Sequence, residues 1–258
     1  MTGFTKAIVR RPAASFASGL TRIDLGAPVL ERALEQHEAY CHALASCGLK
    51  LVRLEPDDQH PDSTFVEDTA ILTPRGAVVT RPGAPSRLGE TESIKPVLHD
   101  YFPEVHSILE PGTLDGGDVC EAGEHFFIGI SDRTNEHGAN QLARFLDSWG
   151  YSSSLIDIRG LSNILHLKSG LAYLGGGHLM VIQALRRREE FSRYDLICLT
   201  EAEEYAANCL SINGRVLIAA GFPKVKEELD QLGYKTIALN MSEFQKMDGG
   251  LSCLSLRF

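Results

Sequence analysis

No stretch of the sequence is apolar for long enough to form a transmembrane helix, and no secretory signal is evident. A bilayer span needs about 20 consecutive apolar residues. Residues 1–20 contain basic side chains and no continuous apolar segment, which does not fit a signal peptide. The sequence therefore predicts a cytoplasmic protein with no membrane partner.

Positive charge is also scarce. The chain has 25 lysines and arginines against 34 aspartates and glutamates, and its formal net charge is −9. The one basic run, residues 186–188, is followed by two glutamates and is typical of a solvated helix face. Because nucleic-acid phosphates are bound by clustered lysines and arginines, the charge balance argues against a nucleic-acid partner.

The six cysteines include no CxxC pair. Close pairs are typical of zinc ribbons and redox motifs, and disulfide frameworks are typical of small secreted domains. A chain of 258 residues can bury a full core without such staples. Free thiols are therefore predicted and no metal is expected, with a zinc site of Cys253, His166 and a carboxylate as the metal alternative.

A recurring order of elements is present instead: a tight hairpin, an amphipathic helix and a short strand. Paired apolar runs around a turn predict hairpins over residues 69–80, 117–130, 163–182 and 207–221. Helical spacing predicts helices over residues 90–102 and 134–150, a shorter polar helix after the third hairpin, and a helix from Pro223. No linker or composition break interrupts this order, so residues 1–258 are predicted to form a single domain.

The fifth unit is divided between the two ends of the chain. Residues 251–258 predict one strand, residues 7–11 its neighbour, and residues 29–48 the amphipathic helix. Self-similarity at a period of about 45 residues is typical of propeller-like or solenoid arrays. Pairing of the chain ends would close such an array into a ring and protect its edges.

Polar residues interrupt the first strand of each hairpin at intervals close to the repeat. In a closed ring, equivalent positions point at the same axis. These side chains are therefore expected to meet at one end of the central channel. They are Asp68, Asp118, His166, Asn208 with Cys209, and Cys253.

Cys253 is the candidate nucleophile in this set. It follows Gly249 and Gly250, which permit unusual backbone angles and close approach of a ligand to the main chain. Cys209 is the rival at the matching repeat position, but its Ala-rich surroundings favour core filling, and an inert buried thiol is the ordinary role of either cysteine. His166 lies between leucines at a strand start and is suited to share or relay a thiol proton.

Three carboxylates lie close together in residues 61–69. Asp62, Glu67 and Asp68 flank Phe65 in the sequence PDSTFVEDT. They indicate either a solvated acidic loop or a site for a planar cation with several N–H donors, which means a guanidinium.

Two further acids and two arginines complete the candidate set. Asp115 and Asp118 surround two glycines, and a carboxylate at this turn is suited to orient His166. Arg87 and Arg133 lie next to loops, where they either pair with nearby glutamates or together clamp a carboxylate. The second arrangement suits a small amino-acid ligand.

Seven motifs follow one another along the chain: PDSTFVEDT, RPGAPSRLGE, LDGGDV, RTN, LHLKS, AANC and DGGLSCLS. Together they resemble the dimethylarginine dimethylaminohydrolase family over almost the whole chain, although LDGGD and the terminal Gly-x-x-Cys are also similar to other guanidine-modifying enzymes. The resemblance implies a pentein-like α/β fold, a five-bladed pseudo-symmetric α/β-propeller, with no cofactor. It also implies hydrolysis of asymmetric dimethylarginine or monomethylarginine to citrulline and a methylamine.

The resemblance further implies a role for each matching residue. Cys253 is implied to be the nucleophile, His166 the general acid and base, and Asp115 the residue that orients the histidine. The implied substrate contacts are Asp62, Glu67 and Asp68 at the guanidinium, Phe65 beside its methyl groups, Arg87 and Arg133 at the carboxylate, and Leu20 and Met247 through backbone groups.

Other functions use part of the same residue set. An arginine deiminase acts on unmethylated arginine but usually carries an added helical region, for which this sequence has no insert. An amidinotransferase needs an amine acceptor, and a non-catalytic binding ring of the same fold would not need Cys253, His166 and both arginines. A thiol peptidase fits the thiol and the imidazole but not the acid cluster. The expected partner is a small methylated arginine, and the existence of a homodimer is left open.

Overall fold

Five three-stranded sheets are formed by residues 3–161 and 163–258, which are the residues that this computed structural model describes. In each sheet the middle strand pairs antiparallel with one neighbour and parallel with the other. A tight turn suffices for the antiparallel pair, whereas the parallel strand needs a longer crossover. This is why hairpin and crossover alternate along the sequence.

The fifteen strands follow the chain in order, and the crossovers contain the longer helices. The strands are β1 Lys6–Arg10, β2 Lys50–Leu54, β3 Ala70–Thr73, β4 Gly76–Val79, β5 Val105–Ser107, β6 Val119–Ala122, β7 His125–Ile130, β8 Ser152–Asp157, β9 Leu171–Gly175, β10 His178–Ile182, β11 Asp195–Leu199, β12 Leu210–Ile212, β13 Arg215–Ala219, β14 Lys235–Leu239 and β15 Leu256–Arg257. The α-helices are α1 Leu30–Ser46, α2 Glu90–His99, α3 Glu136–Ser148, α4 Pro223–Gln231 and α5 Ser242–Gln245.

The two ends of the chain meet in one sheet, whose strand order is β15-β1-β2. Ala7 pairs with Arg257 and Ile8 with Leu256 in the antiparallel register. The other four sheets follow one another as β3-β4-β5, β6-β7-β8, β9-β10-β11 and β12-β13-β14. The predicted five-bladed α/β-propeller, closed by its terminal strands, is confirmed.

Helix α3 illustrates how local sequence sets the bounds of an element. The side chain of Asn135 caps its start by accepting a hydrogen bond from the Gly138 amide, at 2.9 Å. Leu142 and Leu146 are fully buried on its inner face. The chain leaves the helix at Gly150, whose φ of +79° lies in the left-handed region that glycine occupies without strain.

Two predicted elements differ from the structure. The polar helix expected after β10 consists of short 3₁₀ turns at Gln183–Leu185 and Glu189–Phe191, because few apolar residues there support a longer helix. The predicted strand over residues 251–258 is shorter, since Ser252–Leu254 form a 3₁₀ turn and only Leu256–Arg257 pair as β15.

Within residues 3–161 and 163–258, no helix has both the length and the apolar character that crossing a bilayer requires.

Candidate active site

Short 3₁₀ turns carry the polar residues that recur with the repeat. The sequence pattern predicted these residues within the first strands, whereas the structure places Asp68, Asp118 and Cys253 in the turn that precedes each strand and the others beside such a turn. Neighbouring turns pack against one another around the central axis. The turns are Val66–Thr69, Gly116–Asp118, Leu167–Ser169, Glu201–Ala207 and Ser252–Leu254.

A small cavity of ≈ 30 Å³ lies at one end of this axis. Cys253 and His166 both line it, although they come from different blades. The other predicted site residues in its wall are Leu20, Asp62, Phe65, Asp68, Arg87, Arg133 and Met247. The ring therefore brings one thiol, one imidazole, three carboxylates (with Asp248) and two guanidinium groups to a shared enclosure.

His166 is held by Asp115 from behind the cavity. Its Nε2 atom lies 3.0 Å from Oδ2 of Asp115, which is fully buried and also accepts a hydrogen bond from the Gly83 amide. Burial alone would lower the pKa of His166, but the negative charges of Asp68 and Asp118 and the bond to Asp115 raise it to about 9. The imidazole is therefore a cation at neutral pH.

The structure also separates the roles of the two acids in LDGGDV. Asp118 is not hydrogen-bonded to the His166 ring; it accepts hydrogen bonds from the Leu167 amide at 2.9 Å and from the Ser131 hydroxyl at 2.6 Å. Burial raises the pKa of Asp118 to about 6, against the opposing charge of His166. Asp118 thus ties the segment that follows His166 to the loop that precedes α3.

Cys253 has a thiol that is strongly protonated in this structure. Burial and the negative charges of Glu67 and Asp68 raise its pKa to about 12. The Nδ2 amide of Asn208 donates a hydrogen bond to Sγ at 3.6 Å. The rival thiol of Cys209 lies instead in the apolar core, 4.0 Å from the sulfur of Met180.

Asp62 closes the cavity together with the segment around Leu20. Both carboxylate oxygens of Asp62 accept hydrogen bonds from the Leu20 amide, at 3.1 and 3.2 Å. Burial raises the pKa of Asp62, although Arg87 opposes this effect. A side chain at Gly19 would approach Asp62 Oδ1 to 2.4 Å, so a glycine is needed where this segment passes the carboxylate.

Arg87 is bound on several sides by the protein itself. Its Nε and Nη2 atoms donate to the two carboxylate oxygens of Glu90 at 2.9 and 2.8 Å, and Nη1 donates to Asp68 Oδ2 at 2.6 Å. The alternative that Arg87 pairs with a nearby glutamate is therefore confirmed, and Glu90, which the sequence analysis did not name, is that glutamate. Arg87 therefore reaches the cavity as part of a buried ion network, not as a free cation.

Arg133 differs from Arg87 in this respect. Its Nη1 atom is buried and has no hydrogen-bond partner among the described residues. The side chain lines the cavity, and its main-chain amide is fixed by the Ser131 hydroxyl at 3.0 Å. An unpaired buried donor is costly unless a ligand satisfies it, so this atom indicates a position for an anionic group.

Glu67 does not face this cavity. Its carboxylate is bound by Lys168 at 2.5 Å, Arg257 at 2.8 Å and the Ser252 hydroxyl at 2.8 Å. These groups line a second cavity of ≈ 140 Å³. Of the three acids of PDSTFVEDT, only Asp62 and Asp68 therefore line the small cavity, because consecutive residues of the turn point in different directions.

The metal alternative proposed from the sequence used Cys253, His166 and a carboxylate. In the part of the chain that the structure describes, the close group of potential metal ligands is Asp68, Asp115 and His166, whose ligand atoms lie within 4.8 Å of one another. Cys253 does not belong to it. Asp115 is bonded to His166, and Asp68 to Arg87 and the Gly117 amide, so this group is already satisfied by the protein.

Comparisons of sequence and structure show which known proteins this chain is similar to. The chain is 45% identical over 256 residues to an N(G),N(G)-dimethylarginine dimethylaminohydrolase of Pseudomonas aeruginosa, a match that covers 99% of this chain and 100% of the relative. A Cys→Ser mutant of the Pseudomonas aeruginosa enzyme in complex with citrulline superposes with a TM-score of 0.96 at 44% identity, again over 99% and 100% of the two chains. A dimethylarginine dimethylaminohydrolase His→Gly mutant, solved as an adduct with S-methyl-L-thiocitrulline, superposes equally well, with the same TM-score, identity and coverage. No protein-family model matches the chain.

Proposed function

Because the chain belongs to the dimethylarginine dimethylaminohydrolase family, we propose that it hydrolyses Nω-methylated arginine to citrulline and a methylamine through a covalent intermediate on Cys253. The substrates we assign are asymmetric dimethylarginine and monomethylarginine. The observation that carries this proposal is the common cavity of Cys253, His166, Asp62, Asp68 and the unpaired Arg133 donor. This set matches a zwitterion with a cationic head and an anionic tail.

Substrate binding uses the two kinds of charge in the cavity. The carboxylates of Asp62 and Asp68 receive the guanidinium, and the unpaired Nη1 of Arg133 receives the substrate carboxylate. Phe65 packs beside the methylated nitrogen. Holding the guanidinium between fixed groups positions its central carbon beside the thiol, which replaces a diffusional encounter by geometry.

The cavity must widen before it can bind a whole methylated arginine. Its volume of ≈ 30 Å³ is far below the roughly 300 Å³ or more of typical small-molecule sites. Leu20 is the exposed part of its wall and is bound to Asp62 through its amide, so displacement of this segment admits the substrate and frees Asp62. Trypsin cleavage after Arg22 tests the movement, since bound citrulline is expected to slow it and an unchanged rate would argue against it.

The first chemical step forms the covalent adduct. The substrate cation lowers the pKa of the Cys253 thiol, whose proton leaves to solvent, and the thiolate attacks the guanidinium carbon. His166, which is protonated at neutral pH, gives its proton to the departing methylated nitrogen as the C–N bond breaks. The products of this half are the free methylamine and a thiouronium on Cys253. Ultraviolet thiolate absorbance that does not increase when a guanidinium ligand is added would contradict the assistance by substrate.

The second step releases citrulline. His166 is now neutral and takes a proton from a water molecule, which attacks the thiouronium carbon. The C–S bond breaks and the sulfur leaves as a thiolate, which takes up the remaining hydroxyl proton of the adduct, and the carbon becomes the ureido carbonyl of citrulline. Protons balance over the cycle because His166 donates one and regains one, the thiol loses one to solvent and regains one, and the free methylamine takes up the proton left in solution.

The test is citrulline release from arginine, monomethylarginine and asymmetric dimethylarginine in parallel. We expect release from the two methylated substrates, and none from a Cys253→Ser protein that still binds them. Release from arginine alone would identify an arginine deiminase and overturn the proposal. Binding without release by the unmodified protein would identify a non-catalytic ring.

A further inference from the structure

Asn208 lies directly beside the sulfur of Cys253 but outside the cavity proposed to receive substrate. Its Nδ2 atom is 3.6 Å from Sγ, and its side chain does not belong to the wall of the cavity. Asn208 directly follows the turn Glu201–Ala207 and precedes β12, whereas Cys253 lies within the turn Ser252–Leu254 that precedes β15. Ring closure brings these two residues together although 45 residues separate them.

The orientation of the Asn208 amide is set by a second hydrogen bond. Its Oδ1 atom accepts from the main-chain N–H of Ser252 at 2.9 Å, so the NH₂ group is the end that faces Cys253. Gly250 lies against the same amide, where an added Cβ would approach the Asn208 Cγ to 2.4 Å. Asn208 is itself buried. The donor is therefore held in place by two points of the loop that carries the nucleophile.

The surroundings of the sulfur make such a donor important. Glu67 and Asp68 oppose a negative charge on Cys253, while Lys168 and a hydrogen bond from the Gly250 main chain favour it. Lys168 is paired with Glu67 at 2.5 Å, which reduces the charge it offers to the thiol. Among the described residues, no other side chain donates a hydrogen bond to Sγ.

We propose that Asn208 is a catalytic residue of the reaction assigned above, on which this inference rests: its Nδ2 amide donates a hydrogen bond that stabilises the Cys253 thiolate. Hydrogen bonds to a charged acceptor are stronger than those to a neutral one. The contact is therefore stronger with the thiolate than with the thiol. It favours the nucleophile when the adduct forms and the leaving group when citrulline is released.

The decisive variant is Asn208→Asp. Aspartate has nearly the same shape and keeps an oxygen for the Ser252 N–H, but it replaces the donor at Cys253 by a second acceptor. The matched control is Asn240→Asp, which adds the same charge at an exposed position where Oδ1 likewise accepts a main-chain N–H, from Ser242. Thermal unfolding of both proteins establishes that they are folded.

The measurement is the rate at which a neutral alkylating reagent modifies Cys253 at pH 8 without substrate, followed by mass spectrometry of the Cys253 peptide. Peptide resolution is needed because Cys198 is exposed and reacts with the same reagent, whereas Cys253 is half-buried. We expect Asn208→Asp to slow alkylation by about tenfold or more, since the rate follows the thiolate fraction and one pKa unit changes that fraction tenfold. Asn240→Asp is expected to react at the unmodified rate. Equal alkylation rates in Asn208→Asp and unmodified protein would overturn the proposal.

Steady-state kinetics give a second readout. Because Asn208 does not line the cavity, Asn208→Asp is expected to reduce kcat by about tenfold or more and to leave KM within about twofold. A defect confined to KM would mean that the residue only shapes the cavity. The alkylation rate needs no turnover, so it tests Asn208 even if the assigned substrates are not hydrolysed.

Asn208→Ala is the second variant if Asn208→Asp does not fold. It removes the donor without adding a negative charge, so we expect slower alkylation of Cys253 by a smaller factor. An alanine variant that is folded and is alkylated at the unmodified rate would refute the donor role as well.

Discussion

His166 and Asp115 are 51 residues apart in the chain, yet His166 Nε2 lies 3.0 Å from Asp115 Oδ2. Burial disfavours the charged form of each residue, but nearby charges outweigh it: Asp68, Asp118 and the bond to Asp115 raise the pKa of His166 to about 9, and the bond to His166 lowers the pKa of Asp115. The bond fixes the ring of His166 and contributes to keeping it protonated. Its consequence is a testable dependence of activity on pH.

Asp115→Asn should move the alkaline limit of activity to lower pH. In the proposed mechanism His166 acts first as an acid, so kcat falls as pH rises through its pKa of about 9. Removal of the Asp115 charge lowers that pKa, and loss of the orienting bond is expected to reduce kcat by about 100-fold at its optimum. The measurement is kcat from about pH 6 to about pH 10, a range that begins near the ordinary pKa of histidine and extends beyond the raised pKa of His166.

The control for this profile is Asp147→Asn, which removes the same charge from an exposed position on α3. Its alkaline limb is expected to coincide with that of the unmodified protein. If kcat of Asp115→Asn fell at the same alkaline pH as that of the unmodified protein, another group would control the alkaline limit.

Arg133→Gln should weaken substrate binding more than turnover. The unpaired Nη1 donor is assigned to the substrate carboxylate, and loss of one charged hydrogen bond is expected to raise KM by about 10- to 100-fold. A methylated substrate analogue without its carboxylate should be processed equally by both proteins. The measurement is KM and kcat for both substrates, with the exposed Arg144→Gln as the matched arginine control. An equal defect on the analogue would show that Arg133 acts on something other than the carboxylate.

Asp118→Asn should change how stability depends on pH. The pKa of Asp118 is about 6 in the folded protein against an ordinary value of 3.8, so folding favours its protonated form. This favourable contribution is complete below pH 3.8 and is lost as pH rises through about 6. The free energy of unfolding of Asp118→Asn, relative to unmodified protein, should therefore increase with pH by up to about 3 kcal/mol.

Urea denaturation of Asp118→Asn at low, intermediate and neutral pH checks this dependence. The exposed Asp147→Asn protein should show no such trend. A constant difference between Asp118→Asn and unmodified protein across this range would indicate that the buried carboxyl keeps an ordinary pKa.

Much of the fold follows from local sequence. The helix predicted over residues 134–150 is Glu136–Ser148, and the one predicted over 29–48 is Leu30–Ser46, because apolar spacing and terminal glycines act locally. The hairpin turn at Asn213 and Gly214 is present as well, with both residues at positive φ. The end of the chain was harder to predict: apolar residues in LSCLSLRF suit a strand, but tertiary packing places Ser252–Leu254 in a 3₁₀ turn.

The candidate site was predicted less evenly than the fold. Most of the predicted site residues line the small cavity, whereas Glu67 lines the larger one. Asn208 contacts Cys253, which is distant from it in the sequence. Glu90 lies behind the site and contacts Arg87. A motif lists residue types, whereas the partner of each polar atom depends on which turns the ring brings together.

The order of hairpins and crossovers, the pairing of the chain ends and the chemical character of the site were determined by the sequence alone, since periodicity and turn residues act over short distances. Only the tertiary structure decided which end of the central channel each polar side chain faces. Glu67 and Asp68 are adjacent in the sequence, and so are Ser252 and Cys253. In each pair the first residue lines the larger cavity and the second lines the smaller one. The reason is geometric: successive residues of a tight turn point in different directions, and only packing against the neighbouring turns sets which of them meets His166.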